Sequence, residues 1–197
     1  MNLPNRITLS RIVLIPFFLA AYMLAGVWGV YWIYIAAGIF ALAAATDFID
    51  GRIARKRNLV TSLGNLLDTI ADKILVAAAL FVVLGYGLLY SPALPVPAFA
   101  GVLIVTLMIA REFIISLLKA MGAAKNVAIL ADKLGKLKMG AQIAALLVLI
   151  PARPLDAAVG TDAFTITGFV LLCVSALLSV LSGINYMIKN RKVFSEE

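Results

Sequence analysis

The sequence IVLIPFFLAAYMLAGVWGVYWIYIAAGIFALAAAT, residues 12–46, contains 35 residues without a charged side chain. A helix of that length would measure about 50 Å, whereas the apolar core of a bilayer is about 30 Å thick and needs about 20 residues. Gly26 and Gly29 interrupt the stretch, and Trp28 and Trp32 beside them are typical of the membrane interface. The stretch therefore predicts two membrane-spanning helices.

The rest of the chain repeats this pattern. Residues 74–110 are another 37 residues without charge, interrupted by glycines and prolines. Of all 197 residues, 63% are hydrophobic and 14% are charged, and the mean hydropathy is +1.06, whereas soluble domains contain about 25% charged residues. We predict an all-α integral membrane protein, one domain over residues 1–197, with six transmembrane helices near residues 7–26, 30–49, 66–89, 98–120, 134–151 and 163–188.

Basic residues are divided unequally between the two sides of the predicted helices. Of the 17 lysines and arginines, all but Arg153 fall on the side of the termini. By the positive-inside rule, both termini should be cytoplasmic in a multi-pass protein. This topology, together with attraction to anionic lipid headgroups, accounts for the net charge of +7. We therefore expect the basic residues to interact with the lipid bilayer and not with nucleic acid.

Chemistry in this chain must depend on carboxylates and amines. The sequence has no histidine and one cysteine, Cys173, inside an apolar stretch. These counts exclude imidazole metal ligands, histidine bases and an intramolecular disulfide. We expect Cys173 to act as a small buried hydrophobe.

Four of the ten acidic residues lie within 26 positions. Asp47 and Asp50 are three residues apart at the end of the second predicted helix, and Asp68 and Asp72 are four apart at the start of the third. Each spacing places two carboxylates on one helical face, and the short predicted connection, residues 51–65, brings the helix ends together. Two divalent cations, with Mg²⁺ as the first candidate, would balance the charge of four carboxylates and are suited to a displacement reaction at phosphorus. The alternative is that the aspartates form a solvated rim of Asp–Arg pairs.

The residues between these aspartates indicate a ligand site. Gly51 and Ala54 leave space for a flat or phosphorylated ligand, and Arg55 has the fork geometry that binds phosphate or carboxylate. Gly64 would act like Gly51 or would permit close helix packing.

The segment resembles the CDP-alcohol phosphotransferase family. It contains all fixed positions of the signature D-x2-D-G-x2-A-R-x8-G-x3-D-x3-D, from Asp47 to Asp72. The resemblance implies a homodimeric six-helix membrane enzyme with a cytoplasmic-side active site, which transfers a substituted phosphate from a CDP-linked donor to an alcohol. It implies a set of metal-binding aspartates, one of which, Asp72, is also the general base. Mn²⁺ is the second candidate for the bound metal after Mg²⁺. The resemblance also implies a set of residues that bind the donor, CDP-diacylglycerol. These sets are Asp47, Asp50, Asp68 and Asp72 for the metals, and Gly51, Ala54, Arg55, Gly64 and, more weakly, Thr61 for the donor.

Other elements bear on the donor and the acceptor. The opening P-N-x-x-T-x-x-R, residues 4–11, is similar to that of bacterial phosphatidylglycerophosphate synthases, which implies Asn5 and Thr8 near the nucleotide; Pro4 and Asn5 would otherwise start and cap a helix. Those enzymes belong to the bacterial cytoplasmic (inner) membrane. They condense CDP-diacylglycerol with glycerol 3-phosphate.

A cationic pocket for the acceptor phosphate is predicted from three basic residues in the fourth and fifth spans, Arg111, Lys136 and Lys138. Their segments resemble the R-E-F and G-K-x-K-T elements of the same enzymes, except that Met139 stands in place of threonine. A structural Arg111–Glu112 pair, or a snorkelling arginine, is the alternative for Arg111, and positive-inside bias is the alternative for the lysines.

Two other functions remain open. An enzyme of the same family could use inositol phosphate, serine or phosphatidylglycerol as acceptor, although an unphosphorylated acceptor would leave Arg111 and Lys136 without an anion. A small ion-coupled transporter could use the aspartates as its ion path. Transport sites usually lie near the membrane midplane, whereas the four aspartates lie at one face.

Overall fold

The computed structural model describes the backbone of residues 3–57, 62–93, 96–124 and 133–190, and their side chains except those of residues 3–7, 47–57, 62–63, 65–66, 98, 123–124 and 133. All regular elements within these ranges are helices. In chain order they are α1 (Leu3–Trp28), α2 (Tyr31–Arg57), α3 (Ser62–Gly85), α4 (Ala98–Ala124), α5 (Lys133–Leu149), α6 (Ala152–Val159) and α7 (Ala163–Lys189).

The all-helical fold is confirmed, and each of the six predicted spans corresponds to one helix of 17 residues or more. Among the described residues, three segments are long and apolar enough to cross a bilayer on their own, namely Thr8–Trp28, Phe99–Gly122 and Ala163–Lys189. The bent pair α5–α6 makes a fourth candidate. The apolar part of α2, Tyr31–Thr46, is shorter, and α3 has three charged residues in its first half, so six crossings stay a prediction.

The connection between α2 and α3 is shorter than predicted. The sequence suggested that α2 ends near residue 49 and that residues 51–65 form a loop. Instead α2 continues to Arg57 and α3 begins at Ser62, because alanine, arginine and lysine are good helix formers and a single glycine does not stop a helix. The signature positions Asp47 to Arg55 therefore lie on one continuous helix.

An additional short helix, α6, follows α5 after a bend of 54°. Pro151 lies at the bend, where its missing N–H cannot continue the hydrogen bonding of α5. Gly160 ends α6 with φ of 73°, a left-handed conformation that glycine adopts without steric cost. The sequence predicted no helix in this segment.

Contacts at this end of the bundle fix the start of α7. The buried carboxylate of Asp156 accepts hydrogen bonds from the backbone N–H groups of Phe164 (2.8 Å) and Thr165 (3.0 Å). These two N–H groups belong to the first turn of α7, which has no helical partners for them. Arg153 donates from Nη2 to the carbonyl oxygen of Gly87 at 3.1 Å, so α6 also ties down the turn after α3.

The core is formed by aliphatic side chains and alanines from facing helices, together with three aromatic side chains. Phe18 of α1 and Phe40 of α2 are fully buried with ring centroids 5.7 Å apart. Helix α5 packs closely along α7: a Cβ on Gly168 would lie 2.6 Å from Cγ of Leu149. Such close backbone approach at small residues is how membrane helices associate. Helix α3 packs against α1 and also contacts α4 and α5, so it joins the α1–α2 pair to the rest of the bundle.

Candidate active site

A buried ion pair joins α1 to the start of α3. Thr8, Arg11 and Ile15 are buried on α1 at three- and four-residue spacings, and the Arg11 side chain is 0% exposed. Its Nη1 donates to Oδ1 of Asp68 at 3.0 Å, while the Asp68 carboxylate remains 45% exposed. Because a buried guanidinium is costly without a counter-charge, this contact fixes Asp68 against α1.

Asp72 follows Asp68 by one helical turn and lies among lysines. It interacts electrostatically with Lys73 beside it and with Lys138 of α5. Lys73 Nζ donates to the hydroxyl of Ser116 on α4, and that hydroxyl donates to the carbonyl oxygen of Glu112 at 2.6 Å. The charged end of α3 is thereby tied to α4 and lies beside α5.

Glu112 joins two cations from different helices. Its Oε1 accepts hydrogen bonds from Nη1 of Arg111 at 3.1 Å and from Nζ of Lys138. The Arg111 and Lys138 side chains are 15% and 7% exposed. The Arg111–Glu112 pair that the sequence left open is therefore present, and it also brings Arg111 together with Lys138. These three side chains carry a net positive charge in a place that water reaches little.

Helix α7 supplies the remaining contacts of Arg111. Nη2 of Arg111 donates to the hydroxyl of Ser182 at 2.8 Å. The aliphatic part of Arg111 lies over Gly183, where an added Cβ would be 3.2 Å from Cγ of Arg111. An added methyl group at position 183 would therefore make a tight contact with the arginine, which would have to shift by a few tenths of an ångström.

The other predicted acceptor residue, Lys136, is placed differently. It is exposed on α5, while Lys138 two positions later is buried. Residues two apart on a helix project from different faces. The structure therefore brings Arg111 and Lys138 together and leaves Lys136 outside this cluster.

The predicted donor residues are described to different extents. Thr8 is buried and Gly64 is half-buried. Thr61 lies outside the described residues. For the other predicted donor residues and for two predicted metal ligands, the structure describes the helical backbone but not the side chains. These donor residues are Asn5 on α1 and Gly51, Ala54 and Arg55 on α2, and the metal ligands are Asp47 and Asp50 on α2.

The described side chains include no group of three acidic, histidine or cysteine residues that could hold a metal. Asp68 and Asp72 are two of the four predicted ligands, and Asp47 and Asp50 are the two whose side chains are not described. Asp68 and Asp72 are one turn apart and both partly exposed. Their oxygen atoms are the donors that Mg²⁺ and Mn²⁺ prefer, so the chemistry of this pair fits a hard divalent cation.

Comparison with known proteins identifies the family. A family model described as CDP-alcohol phosphatidyltransferase matches residues 1–185. The chain belongs to this family. The match extends far beyond the signature segment and includes α7 as far as Asn185.

Several relatives in the family are similar over nearly the whole chain. The CDP-diacylglycerol–glycerol-3-phosphate 3-phosphatidyltransferase of Bacillus subtilis (strain 168) is 35% identical, over 96% of this chain and 95% of its own. The protein of the same name from Rickettsia felis is 33% identical, over 98% and 97%. A cardiolipin synthase (CMP-forming) of Oryza sativa subsp. japonica is 35% identical, over 96% of this chain and 57% of its own.

Five described residues of the site were not predicted from the sequence: Arg11, Lys73, Ser116, Ser182 and Gly183. Arg11 had a signal, since it lies three residues after Thr8 and inside the family-like opening segment. Ser182 and Gly183 belong to a set of small residues on the buried side of α7. Small residues at helical spacing are also typical of plain helix packing, so this signal alone does not distinguish a binding residue.

Proposed function

We propose that this protein transfers the phosphatidyl group of CDP-diacylglycerol to glycerol 3-phosphate, giving phosphatidylglycerophosphate and CMP. Two relatives that align over nearly the full length of both chains carry the name of this reaction. One structural observation supports the choice of acceptor. Arg111 and Lys138 both donate hydrogen bonds to the same carboxylate oxygen of Glu112, and Lys138 also interacts electrostatically with Asp72. A phosphorylated acceptor provides a further anion for these two buried cations, which share the single carboxylate of Glu112.

The reaction requires an acceptor hydroxyl to attack phosphorus. The hydroxyl oxygen forms a bond to the phosphorus that carries diacylglycerol, the hydroxyl proton passes to the Asp72 carboxylate, and the bond to the CMP oxygen breaks. Arg111 and Lys138 hold the acceptor's phosphate, so that its hydroxyl is oriented toward Asp72. Before the acceptor binds, Glu112 keeps the two cations close together.

The donor end of the site belongs to α1, α2 and α3. Two divalent cations, Mg²⁺ in the first place and Mn²⁺ in the second, would neutralise the diphosphate and the charge on departing CMP. In this proposal they are held by Asp47, Asp50, Asp68 and Asp72. The remaining donor contacts come from Asn5, Thr8, Gly51, Ala54, Arg55, Thr61 and Gly64.

The course of α2 supports this arrangement. Ala36, Phe40 and Ala43 are buried along one side of α2 at four- and three-residue spacings, and position 47 is the next in the series. The helix is continuous as far as Arg57. By helical spacing, position 47 thus continues the side of α2 that faces the bundle, which supports a role for this part of α2 in the site.

The proposed setting is the bacterial cytoplasmic membrane. We propose six crossings, both termini and the active site at the cytoplasmic side, and a homodimer. The distribution of basic residues supports the orientation, and the exposed large apolar side chains of α1, α4 and α7 support contact with lipid, among them Phe17, Phe99 and Leu177.

A second acceptor, phosphatidylglycerol, is favoured by the similarity to a cardiolipin synthase. Both candidate acceptors contain a phosphate and a free hydroxyl, so Arg111 and Lys138 suit either. They differ in that phosphatidylglycerol is itself a lipid, while glycerol 3-phosphate enters from water.

The deciding experiment gives the purified protein CDP-diacylglycerol, Mg²⁺ and one acceptor at a time: glycerol 3-phosphate, phosphatidylglycerol, inositol phosphate or serine. CMP release and the mass of the lipid product are measured. We expect phosphatidylglycerophosphate with glycerol 3-phosphate and little CMP with serine. Cardiolipin as the main product would instead favour the second candidate, and no metal-dependent CMP release with any acceptor would contradict both.

A further inference from the structure

The buried side of α7 is polar within an otherwise apolar helix. Four hydroxyl residues follow each other there at four- and three-residue spacings and are all at most 4% exposed: Ser175, Ser179, Ser182 and Tyr186. The hydroxyl of Ser175 donates to the carbonyl oxygen of Leu172 at 2.9 Å, within its own helix. Ser182 accepts from Arg111. Each hydroxyl inside a membrane protein needs such a partner, because leaving it unpaired costs free energy.

The hydroxyls of Ser179 and Tyr186 have no hydrogen-bond partner among the residues that the structure describes. Their residues are only 1% and 4% exposed, so water does not readily replace the partner. The two lie on either side of Ser182, about one turn before it and one turn after it. A buried polar group without a partner requires an explanation, and one explanation is a ligand that completes the hydrogen bond.

Packing between α5 and α7 places Ser179 at the same height along the helices as Lys138 of the cationic cluster. The helices are antiparallel: Gly135 lies near Ser182, with 3.7 Å from a built Cβ to the hydroxyl, and Leu149 lies against Gly168. The same register places Lys138 level with Ser179. The lysine that reaches Glu112 therefore leaves α5 at the height of one unpartnered hydroxyl.

Tyr186 flanks the cluster from the other end. It packs against Ile115 and Leu118 of α4, and it interacts electrostatically with Arg111. Tyr186, Ser182 and Ser179 thus follow the same side of α7 past Arg111 and Lys138.

We propose that α7 forms a wall of the acceptor pocket, in which Ser182 and Gly183 position Arg111 while the hydroxyls of Ser179 and Tyr186 hydrogen-bond a phosphorylated, hydroxylated acceptor. This inference rests on the proposed function and specifies which residues recognise the acceptor. Glycerol 3-phosphate offers phosphate oxygens and free hydroxyls, which match a pair of cations flanked by two neutral hydroxyl groups.

Substitutions of the unpartnered hydroxyls test the binding role. In Ser179→Ala and Tyr186→Phe, we expect the KM for glycerol 3-phosphate to rise about three- to tenfold, the value of one lost hydrogen bond. The KM for CDP-diacylglycerol and kcat should change less than twofold, about the ordinary scatter between variants. Ser175→Ala is the matched control, because Ser175 is equally buried on the same helix but bonds to its own backbone; it should leave all three constants unchanged.

Thermal unfolding separates binding from packing. If Ser179 served packing alone, removing an unpaired buried hydroxyl would raise the apparent Tm and leave the KM for glycerol 3-phosphate unchanged, and that result would overturn the inference. We expect instead that glycerol 3-phosphate raises the Tm of the wild type more than that of Ser179→Ala, since ligand stabilisation follows affinity.

Gly183→Ala tests the positioning of Arg111. An added methyl would press on the arginine stem, so the KM for glycerol 3-phosphate should rise about tenfold or more while the KM for CDP-diacylglycerol stays the same. Gly140→Ala is the control, because nothing lies within 4 Å of a Cβ built there. Ser182→Ala should resemble Gly183→Ala. An equal rise of both KM values in either variant would contradict a specific effect on Arg111.

Assay of the wild-type protein with glycerol 3-phosphate distinguishes failure of the α7 inference from failure of the proposed function. If the wild type forms no phosphatidylglycerophosphate from glycerol 3-phosphate, the proposed function is wrong. If it forms that product while the α7 variants keep the wild-type KM for the acceptor, the function stands and only the α7 inference is overturned.

Discussion

At the scale of single residues, Asp72 is the group on which turnover should depend most. In the proposed reaction it takes the acceptor proton, whereas binding of CDP-diacylglycerol depends on other side chains as well. Asp72→Asn should therefore reduce kcat by about 10²- to 10⁴-fold and preserve most of the affinity for CDP-diacylglycerol. CMP release and equilibrium binding of the donor measure the two quantities separately. Normal turnover in this variant would exclude Asp72 as the base.

Arg11 and Asp68 should act as one unit. The Arg11 side chain is fully buried and its contact with Asp68 measures 3.0 Å, so removing either partner disturbs the other. Arg11→Gln and Asp68→Asn should each lower the apparent Tm in a metal chelator by about 2–4 °C, and the double variant by less than the two together. Simple additivity would show that the contact contributes nothing. The chelator keeps effects on metal binding out of this comparison.

At the scale of helices, the two lysines of α5 separate by face. Lys138 is buried against Glu112 and Lys136 is exposed, although both fit the same sequence pattern. We expect Lys138→Met to raise the KM for glycerol 3-phosphate about 10- to 100-fold, the value of a lost charged hydrogen bond. Lys136→Met serves as the matched control and should change it about twofold, as for an exposed charge. Equal effects would mean that Lys136 also reaches the acceptor.

The contact between α5 and α7 should be sensitive to added volume. A methyl at Gly168 would lie 2.6 Å from Leu149, and overpacking of this kind costs about 1–3 kcal/mol. Gly168→Ala should therefore lower the apparent Tm by several degrees, whereas Gly38→Ala, with nothing within 4 Å of its Cβ, should not. Adding Leu149→Val to Gly168→Ala should recover part of the loss; no recovery would argue against this contact as the cause.

The helices were more predictable from the sequence than the site. Long uncharged stretches gave the bounds of α7 almost to the residue, because a bilayer sets the length of an apolar helix. The end of α2 was misplaced, because its basic residues resemble a loop although they are good helix formers. Arg111 and Lys138 could be selected as buried charges, but their meeting at Glu112 depends on how three helices pack. Ser182 and Gly183 could not be distinguished from packing residues, since their role appears only when Arg111 lies across them.

At the scale of the whole molecule, the orientation in the membrane can be tested with cysteine labelling. In a Cys173→Ala background, Thr161→Cys places a thiol between α6 and α7, and Ser195→Cys places one near the C-terminus. A membrane-impermeant maleimide should label Thr161→Cys in intact cells and Ser195→Cys only after permeabilisation, because basic residues favour the cytoplasmic side. The cysteine-free parent controls for background. The reverse pattern would invert the topology and move the proposed site outside.

Asp156 caps the first turn of α7, and the same helix carries residues of the proposed acceptor site near its other end. Helix α7 is a single rod of 27 residues, about 40 Å long at the usual rise. Asp156 anchors one end of it, and Ser182 and Gly183 lie near the other. If the contact with Asp156 is lost, α7 can rotate or shift along its axis as one unit. Such a movement would displace Ser182 and Gly183 at the other end of the helix. Genetic screens for altered acceptor choice should then recover changes at Asp156 itself, at the end of α7 opposite the proposed acceptor site.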